Sequence, residues 1–157
     1  MRCIPDEPSY NQAYGDAIQL FKYGNYDALC VTTNGIIKKD KCLVMGKGIA
    51  KDVGDAYPHI PRELGDHVRE FGNILTMVDT DDGYVISFPT KHHWRDDSDL
   101  DLIVESIQSL VQCMNKFKLK RVLLPRPGVS NGGLNWDDVY KAIEPHVDDR
   151  ITFVSKN

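Results

Sequence analysis

The sequence predicts an α/β fold in which helices cover both faces of one largely buried sheet. Two observations lead to this prediction. Short apolar, β-branched runs alternate along the chain with segments of helical periodicity, and a glycine-rich loop stands between a strand-like run and a helical segment at two places. The 157 residues, of which 41% are hydrophobic, suit one domain covering 1–157, with no repeat or linker.

Four segments predict the strands. The run at 27–35 is apolar and β-branched and ends in Asn-Gly, which indicates a strand followed by a turn. The stretch 73–89 predicts two strands joined by a hairpin turn at Asp82-Gly83. Shorter buried strands are predicted at 120–125 and 150–155.

Helical periodicity predicts four helices, at 49–57, 60–72, 98–114 and 135–147. The third is the clearest. Ser98 is expected to open it, and its apolar side chains recur at i, i+3, i+4 and i+7 as far as Met114. Acids near its start and lysines near its end suit the helix dipole.

Composition excludes several classes of protein. No apolar run approaches the roughly 20 residues that span a bilayer, and Pro and acids interrupt the first ten residues too early for a secretory signal. The net charge of −4 argues against a broad nucleic-acid surface, although basic clusters remain at 90–95 and 116–121. Four cysteines lie far apart, and Cys30 and Cys113 fall in apolar patterns, which indicates core thiols in a reducing, cytoplasmic compartment (Cys3, Cys30, Cys42, Cys113).

The stretch "LVMGKGIAKD" at 43–52 is the first candidate for a binding site. It lacks the hydroxyl that follows the lysine of a P-loop, and it lacks the third glycine of a dinucleotide fingerprint. Gly46 and Gly48 can still turn their backbone N–H groups toward an anion at the start of a helix. Taken alone, the loop favours a plain turn over an anion site.

A second glycine loop, "PRPGVSNGGLNW" at 125–136, follows a strand and precedes a helix. The carboxyl ends of strands form the edge of an open α/β sheet at which ligands bind. Two such loops at that edge favour a clamp for the two phosphates of a diphosphate over two unrelated turns.

The third candidate is "SFPTKHHWR" at 87–95. Adjacent histidines on an extended segment point to opposite sides, so a zinc site is not expected. Lys91, if held beside a ligand, can act as a nucleophile or proton donor, but its sequence context alone favours an ordinary surface lysine. Trp94 is either a stacking platform for a base or a core residue.

These motifs resemble the macrodomains, an ADP-ribose-binding family. "MGKGIAKD" at 45–52 is similar to the family's first ribose–phosphate loop, and "RPGVSNGGLNW" at 126–136 is similar to its second, phosphate-gripping loop. "YGDAIQLF" resembles the segment whose acid hydrogen-bonds the adenine amine, which implies that role for Asp16. Asn34 corresponds to a polar residue near the distal ribose. The resemblance implies a three-layer α/β/α fold with a mixed central sheet.

Within this family, "FPTKHHWR" resembles the branch of terminal ADP-ribose protein glycohydrolases and DarG-type DNA ADP-ribosyl glycohydrolases, whose catalytic lysine falls on Lys91. The protein-directed branch also uses an aspartate in the second loop, where this chain has Gly132. The resemblance therefore implies a hydrolase that removes ADP-ribose from a modified macromolecule, with ADP-ribosylated DNA (thymidine) as the first choice. A non-catalytic ADP-ribose reader, a protein de-ADP-ribosylating enzyme and an ADP-ribose 1″-phosphate phosphatase are the alternatives.

The resemblance also implies the site residues and partners. Lys91 is expected to act on the C1″ bond, either as nucleophile or as an ammonium that stabilises the departing base. The expected ADP-ribose-binding residues are Asp16, Ala17, Asn34, Met45, Gly46, Gly48, Ile49, Ala50, Thr90, Pro127, Gly128, Val129, Ser130, Asn131, Gly132, Gly133 and Leu134. No metal or cofactor is expected, and the expected partners are ADP-ribose and ADP-ribosylated single-stranded DNA or protein.

The same resemblance suggests an antitoxin-like protein. DarG-type proteins carry a C-terminal toxin-binding region, for which this chain is expected to be too short, and a free-standing version would suit a phage or a defence-related locus. We expect a monomer without membrane contact in the cytoplasm, or in the host cytoplasm if the chain is phage-encoded.

Overall fold

The computed structural model describes residues 10–156, which form six strands and five α-helices. In chain order these elements are β1 (Asn11–Tyr14), α1 (Ala17–Tyr23), β2 (Ala28–Thr33), α2 (Gly48–Ala56), α3 (Ile60–Phe71), β3 (Thr76–Thr80), β4 (Gly83–Pro89), α4 (Leu100–Phe117), β5 (Val122–Pro125), α5 (Trp136–Ile143) and β6 (Ile151–Ser155). Single 3-10 turns lie at Ser130–Gly132 and Glu144–His146. The expectation about the N-terminal segment and Cys3 falls on residues 1–9, outside the described part of the chain.

The six strands form one sheet in the order β1-β6-β5-β2-β4-β3. β3 runs antiparallel to β4, and every other neighbouring pair is parallel. The predicted α/β class with a mixed sheet is therefore confirmed. Because five strands point the same way, their carboxyl ends lie along one edge of the sheet, and the loops that follow those strands meet there.

Helices pack on both faces of the sheet and form three layers. On one face α1, α2 and α3 bury Phe21, Val53 and Leu64 against the sheet. On the other face α4 and α5 bury Ile107 and Val139. Removing the apolar side chains of these two clusters from water supplies the main favourable free energy of folding.

The start of α4 differs from the prediction by one residue. Asp99, rather than Ser98, is the N-cap, and its Oδ1 accepts hydrogen bonds from the backbone N–H groups of Asp101 at 2.9 Å and Leu102 at 3.3 Å. A carboxylate is a strong N-cap because it satisfies backbone donors that have no partner within the helix. Ser98 is instead buried beside the helix start, and its backbone N–H donates to the carbonyl of Gly132 at 2.8 Å. This bond ties α4 to the second glycine loop.

The hairpin of β3 and β4 is confirmed, but its turn lies one residue earlier than predicted. Thr80 pairs with Gly83, so Asp81 and Asp82 form the two-residue loop. The Thr80 hydroxyl accepts from the Asp82 N–H at 3.1 Å and donates to the Gly83 carbonyl at 2.7 Å, which closes the turn. Gly83 is the first residue of β4. Its φ of +131° and the Asp27 carbonyl, 2.8 Å from where a Cβ would stand, require a glycine at this position.

Cys30 and Cys113, which the sequence predicts to be core thiols, both contribute to one hydrophobic cluster. Cys30 is fully buried in β2, Cys113 is half-buried on α4, and both thiols are free. Burial raises the pKa of the Cys30 thiol well above its ordinary value. No helix among residues 10–156 combines the length and the apolar character needed to cross a bilayer.

Candidate functional site

A cavity of about 700 Å³ opens at the edge formed by the carboxyl ends of the parallel strands. It crosses five of them: Asp16 follows β1, Ser155 ends β6, Arg126 follows β5, Thr33 ends β2 and Lys91 follows β4. Neighbouring strands lie about 4.8 Å apart, so the ends of β1 and β4, four places apart in the sheet, are separated by about 19 Å. The cavity is therefore elongated and suits an extended ligand.

Most of the residues predicted for the site line this cavity: Asp16, Ala17, Gly46, Gly48, Ile49, Thr90, Lys91, Gly128, Val129, Ser130, Asn131 and Gly132. They come from four separate parts of the chain that only the sheet order brings together. Six predicted residues lie next to the lining without forming it: Asn34, Met45, Ala50, Pro127, Gly133 and Leu134.

Asn34 supports the first glycine loop. Its side-chain amide donates to the carbonyl of Val44 at 2.9 Å, and its Oδ1 accepts from the N–H of Ile36 at 2.9 Å. Only 9% of the residue is exposed. Both polar atoms of the amide are thus occupied inside the protein, where they fix the chain between β2 and α2.

The two glycine loops meet above the cavity. Gly48, the first residue of α2, has a φ of +58°, and a Cβ on it would lie 3.0 Å from the Asn131 side-chain nitrogen. Gly46 has no atom within 4 Å of the place where its Cβ would stand. Lys47 is the extended N-cap of α2 and makes no side-chain capping bond. The first turn of α2 therefore presents its backbone N–H groups at the cavity wall.

The second glycine loop is packed tightly against the start of α4. A Cβ on Gly128 would lie 2.7 Å from the Ile103 side chain, and a Cβ on Gly132 would lie 2.3 Å from Ser98 Oγ. Any side chain at position 132, including an aspartate, would have to displace Ser98. Ser98 is only 8% exposed, and its hydroxyl has no hydrogen-bond partner among the described residues.

Lys91 is held at one end of the cavity by its backbone. The N–H groups of Thr90 and Lys91 donate to the Thr33 carbonyl at 3.0 Å and 3.3 Å, and the Asn73 side chain donates to the Lys91 carbonyl at 2.9 Å. The Lys91 amine donates to the carbonyl of Asn131 in the second loop at 3.0 Å. The amine therefore lies between the end of β4 and the second glycine loop.

Trp94 lies at the mouth of the cavity rather than in the core, because 43% of it is exposed and it lines the cavity. The Arg95 guanidinium stacks over its ring at 4.8 Å from the centroid. His92 pairs with Asp99 instead of with another histidine, with 3.3 Å between Nε2 and Oδ2. Within residues 10–156 no three or more His, Cys, Asp or Glu side chains gather in a geometry that could hold a metal ion.

Sequence reasoning missed several residues that shape the site, among them Ser98, Asn73 and Arg126. Ser98 and Asn73 act through contacts between distant segments, which no local pattern reveals. Arg126 had a usable signal, since it directly follows a strand and precedes a Pro-Gly pair at the ligand-binding edge of the sheet.

Known proteins resemble this chain in sequence and in fold. No family model matches the chain. A Mycobacterium tuberculosis protein named DNA ADP-ribosyl glycohydrolase is 34% identical over 129 residues, which cover 76% of this chain and 36% of that protein. The chain thus spans about a third of the length of the curated relatives it matches.

Solved structures share this fold. The macrodomain of Mycobacterium tuberculosis DarG superposes with a TM-score of 0.77 at 27% identity, covering 96% of this chain and 100% of that one. Thermosipho africanus DarTG in complex with ADP-ribose superposes with a TM-score of 0.71 at 21% identity, covering 82% of this chain and 38% of that one. Sequence and fold together place this chain in the macrodomains, as a member of the DarG type.

Proposed function

We propose that this protein binds ADP-ribose and hydrolyses the bond between its distal ribose and a modified macromolecule, which is DNA modified on thymidine. The observation that carries the proposal is the position of Lys91, at one end of an elongated cavity with its amine bonded to the second glycine loop. The Mycobacterium tuberculosis relative named DNA ADP-ribosyl glycohydrolase and the Thermosipho africanus structure in complex with ADP-ribose support both halves of it.

The proposed ligand lies along the strand ends. Adenine occupies the end near Asp16, the diphosphate lies between the two glycine loops, and the distal ribose reaches Lys91. The N-terminus of α2 and the backbone of the glycine loops supply donors to the phosphates. The charge of the lining supports this arrangement, because four cations outnumber two carboxylates there: Lys47, Lys91, Arg126 and Lys156 against Asp16 and Asp52.

Two routes are open to Lys91. As a nucleophile its amine attacks C1″, the thymine base leaves with the bonding electrons, and water then hydrolyses the lysine–ribose bond. As an ammonium it stabilises the negative charge on the departing base while water attacks C1″. Cyanoborohydride distinguishes the two, because it reduces the ring-opened imine of a lysine–ribose adduct to a stable product that mass spectrometry locates on Lys91.

The packing of the second loop supports a nucleobase rather than a protein carboxylate as the leaving group. The resemblance places a second-loop aspartate in the protein-directed enzymes, and here Ser98 Oγ lies 2.3 Å from the position of a Cβ at residue 132. A carboxylate does not fit at that position, so Lys91 works without one from this loop.

The test is a panel of three substrates: thymidine-ADP-ribosylated single-stranded DNA, protein modified on a carboxylate, and ADP-ribose 1″-phosphate. We expect the wild type to release ADP-ribose from DNA, and Lys91→Ala to lose about 10³-fold in rate while its ADP-ribose affinity changes by less than about threefold. Lys116→Ala, which removes an exposed lysine near the end of α4, is the control and should behave as wild type.

Other outcomes would replace this function with a different one. Tight ADP-ribose binding without turnover of any substrate would identify a reader. Phosphate release from ADP-ribose 1″-phosphate would identify a phosphatase, and normal turnover by Lys91→Ala would exclude both proposed routes.

The proposal includes the setting of the activity. We assign it to a monomer in the cytoplasm, acting as one macrodomain over 1–157. The free thiols of Cys30, Cys42 and Cys113 support a reducing compartment.

A further inference from the structure

We propose that Arg126 forms one wall of the adenine pocket and stacks its planar guanidinium on the purine ring. This deepens the proposed ADP-ribose binding and rests on it. Arg126 is half-buried, directly follows β5 and lines the cavity.

The Arg126 side chain points toward the Asp16 end of the cavity, away from Lys91. Its Nη2 donates to Gln12 Oε1 of β1 at 2.9 Å, so the side chain reaches across β6 to the strand that Asp16 follows. Gln12 in turn donates to the Ser155 hydroxyl at 3.3 Å. The guanidinium is therefore held beside β1, on the side of the cavity where the proposal places adenine.

An aromatic support fixes the plane of the guanidinium. Its central carbon lies 5.0 Å from the centroid of the Trp136 ring. The Trp136 ring is itself held, because its indole N–H donates to the Tyr10 hydroxyl at 3.0 Å and Phe153 packs against it with 5.0 Å between ring centroids. Because a hydrogen bond and the Trp136 ring already restrict the Arg126 side chain, it loses little further conformational entropy when a ligand stacks on it.

No carboxylate among the described residues neutralises the charge of Arg126. Among residues 10–156 no carboxylate lies within ion-pair distance of it, and its Nε is buried without an acceptor. A guanidinium is weakly hydrated and stacks readily on π systems, so a purine is a suitable partner.

The rest of the lining leaves the purine without another stacking surface. Trp94 is the one aromatic residue among those that line the cavity, and it stands beside Lys91. The other lining residues at the Asp16 end are small, aliphatic or charged: Gly15, Ala17, Val154, Ser155 and Lys156. Because the proposed function places the diphosphate between the two glycine loops, Arg126 remains as the side chain that can stack on the base.

The experiment compares ligands with and without the base. Affinities for ADP-ribose, AMP and ribose 5-phosphate are measured by calorimetry or competition for the wild type, Arg126→Met and Arg126→Lys. We expect Arg126→Met to weaken ADP-ribose and AMP about tenfold, and to leave ribose 5-phosphate within about twofold. Arg126→Lys keeps the charge but not the plane, so it should lose most of the same affinity.

Arg121→Met is the matched control. Arg121 stacks over Tyr26 at 4.2 Å from the ring centroid, directly before β5 and therefore at the opposite edge of the sheet. This variant removes the same charge and the same kind of contact at a distance from the cavity, and it should bind all three ligands as the wild type does. Urea unfolding of each variant verifies its fold, and Arg126→Lys carries the test if Arg126→Met does not fold.

Two results would overturn the assignment. Equal weakening of AMP and ribose 5-phosphate would show that Arg126 contacts phosphate, and wild-type affinity for ADP-ribose in both Arg126 variants would show that it contacts nothing in the ligand. A wild type that does not bind ADP-ribose would instead refute the proposed function itself, which separates the two failures.

Discussion

The contact between Gly132 and Ser98 predicts that the smallest possible side chain at position 132 destabilises the protein. In Gly132→Ala the new methyl group would lie 2.3 Å from Ser98 Oγ and 3.1 Å from Ser98 Cβ. Carbon atoms in contact normally lie about 3.5–4.0 Å apart, so either Ser98 or the loop has to move. Both residues are buried, which limits that movement.

The magnitude follows from two opposing effects. Overpacking of this kind costs about 1–3 kcal/mol, whereas replacing glycine by alanine gains about 0.4–1 kcal/mol by restricting the unfolded chain. Gly132 does not have a left-handed φ, so no backbone strain is added. We expect a net loss of about 1–2 kcal/mol in the free energy of unfolding, or about 2–8 °C in Tm for a chain of this length.

The assay is a double-mutant cycle measured by urea unfolding. Ser98→Ala removes a hydroxyl that has no partner among the described residues, so alone it should cost little. In the Ser98→Ala background the contact with the hydroxyl is gone and only the 3.1 Å contact with Cβ remains, so Gly132→Ala should cost clearly less there, with a coupling energy of about 1 kcal/mol. Gly46→Ala is the control, because a Cβ there would meet no atom within 4 Å.

Two results would refute this reasoning. Wild-type stability of Gly132→Ala would show that the second loop is free to shift. An equal loss in both backgrounds would show that the cost arises elsewhere than at the Ser98 hydroxyl.

Two further predictions concern Lys91 and His67. Asn73→Ala removes the donor to the Lys91 carbonyl, so ADP-ribose release should slow about five- to tenfold with the Kd for ADP-ribose unchanged; an unchanged rate would exclude a positioning role. Burial lowers the pKa of His67 in the folded protein, so on acidification the unfolded chain protonates this histidine first. The stability present above about pH 6.5 is therefore lost as the pH falls through the lowered pKa of the folded protein. His67→Phe keeps a ring against Phe71 but cannot take up this proton. In urea unfolding it should therefore lose less stability than the wild type as the pH is lowered from about 7.5 to about 5.5. Parallel pH curves for the two proteins would contradict this.

The sequence predicted the elements whose apolar residues recur on a regular period, and it missed β1 and α1, which are too short to show one. β2 and α4 are apolar on a regular period, which reveals them directly. β1, "NQAY", has no apolar alternation, because it is a short edge strand held by its parallel pairing with β6. α1 has only seven residues, too few for a periodic signal, although Asp16 caps it by accepting from the Gln19 N–H at 3.1 Å.

The candidate site divides in the same way. The glycine loops and Lys91 were predicted because each follows a strand, and the carboxyl ends of parallel strands share one edge. The Ser98–Gly132 contact and the Asn73–Lys91 bond join segments that lie far apart in the chain, so only the folded structure reveals them.

The direction of β1 and β6 has a practical consequence for how the protein can be handled. The two strands are parallel neighbours, so Tyr10 enters the sheet at the edge opposite the cavity, whereas Lys156 lines the cavity itself. A fluorophore, affinity tag or surface linker attached after Lys156 would therefore emerge beside the binding cleft and compete with its ligand. A linker joined directly to Tyr10 would instead begin at the far edge of the sheet, away from the cleft.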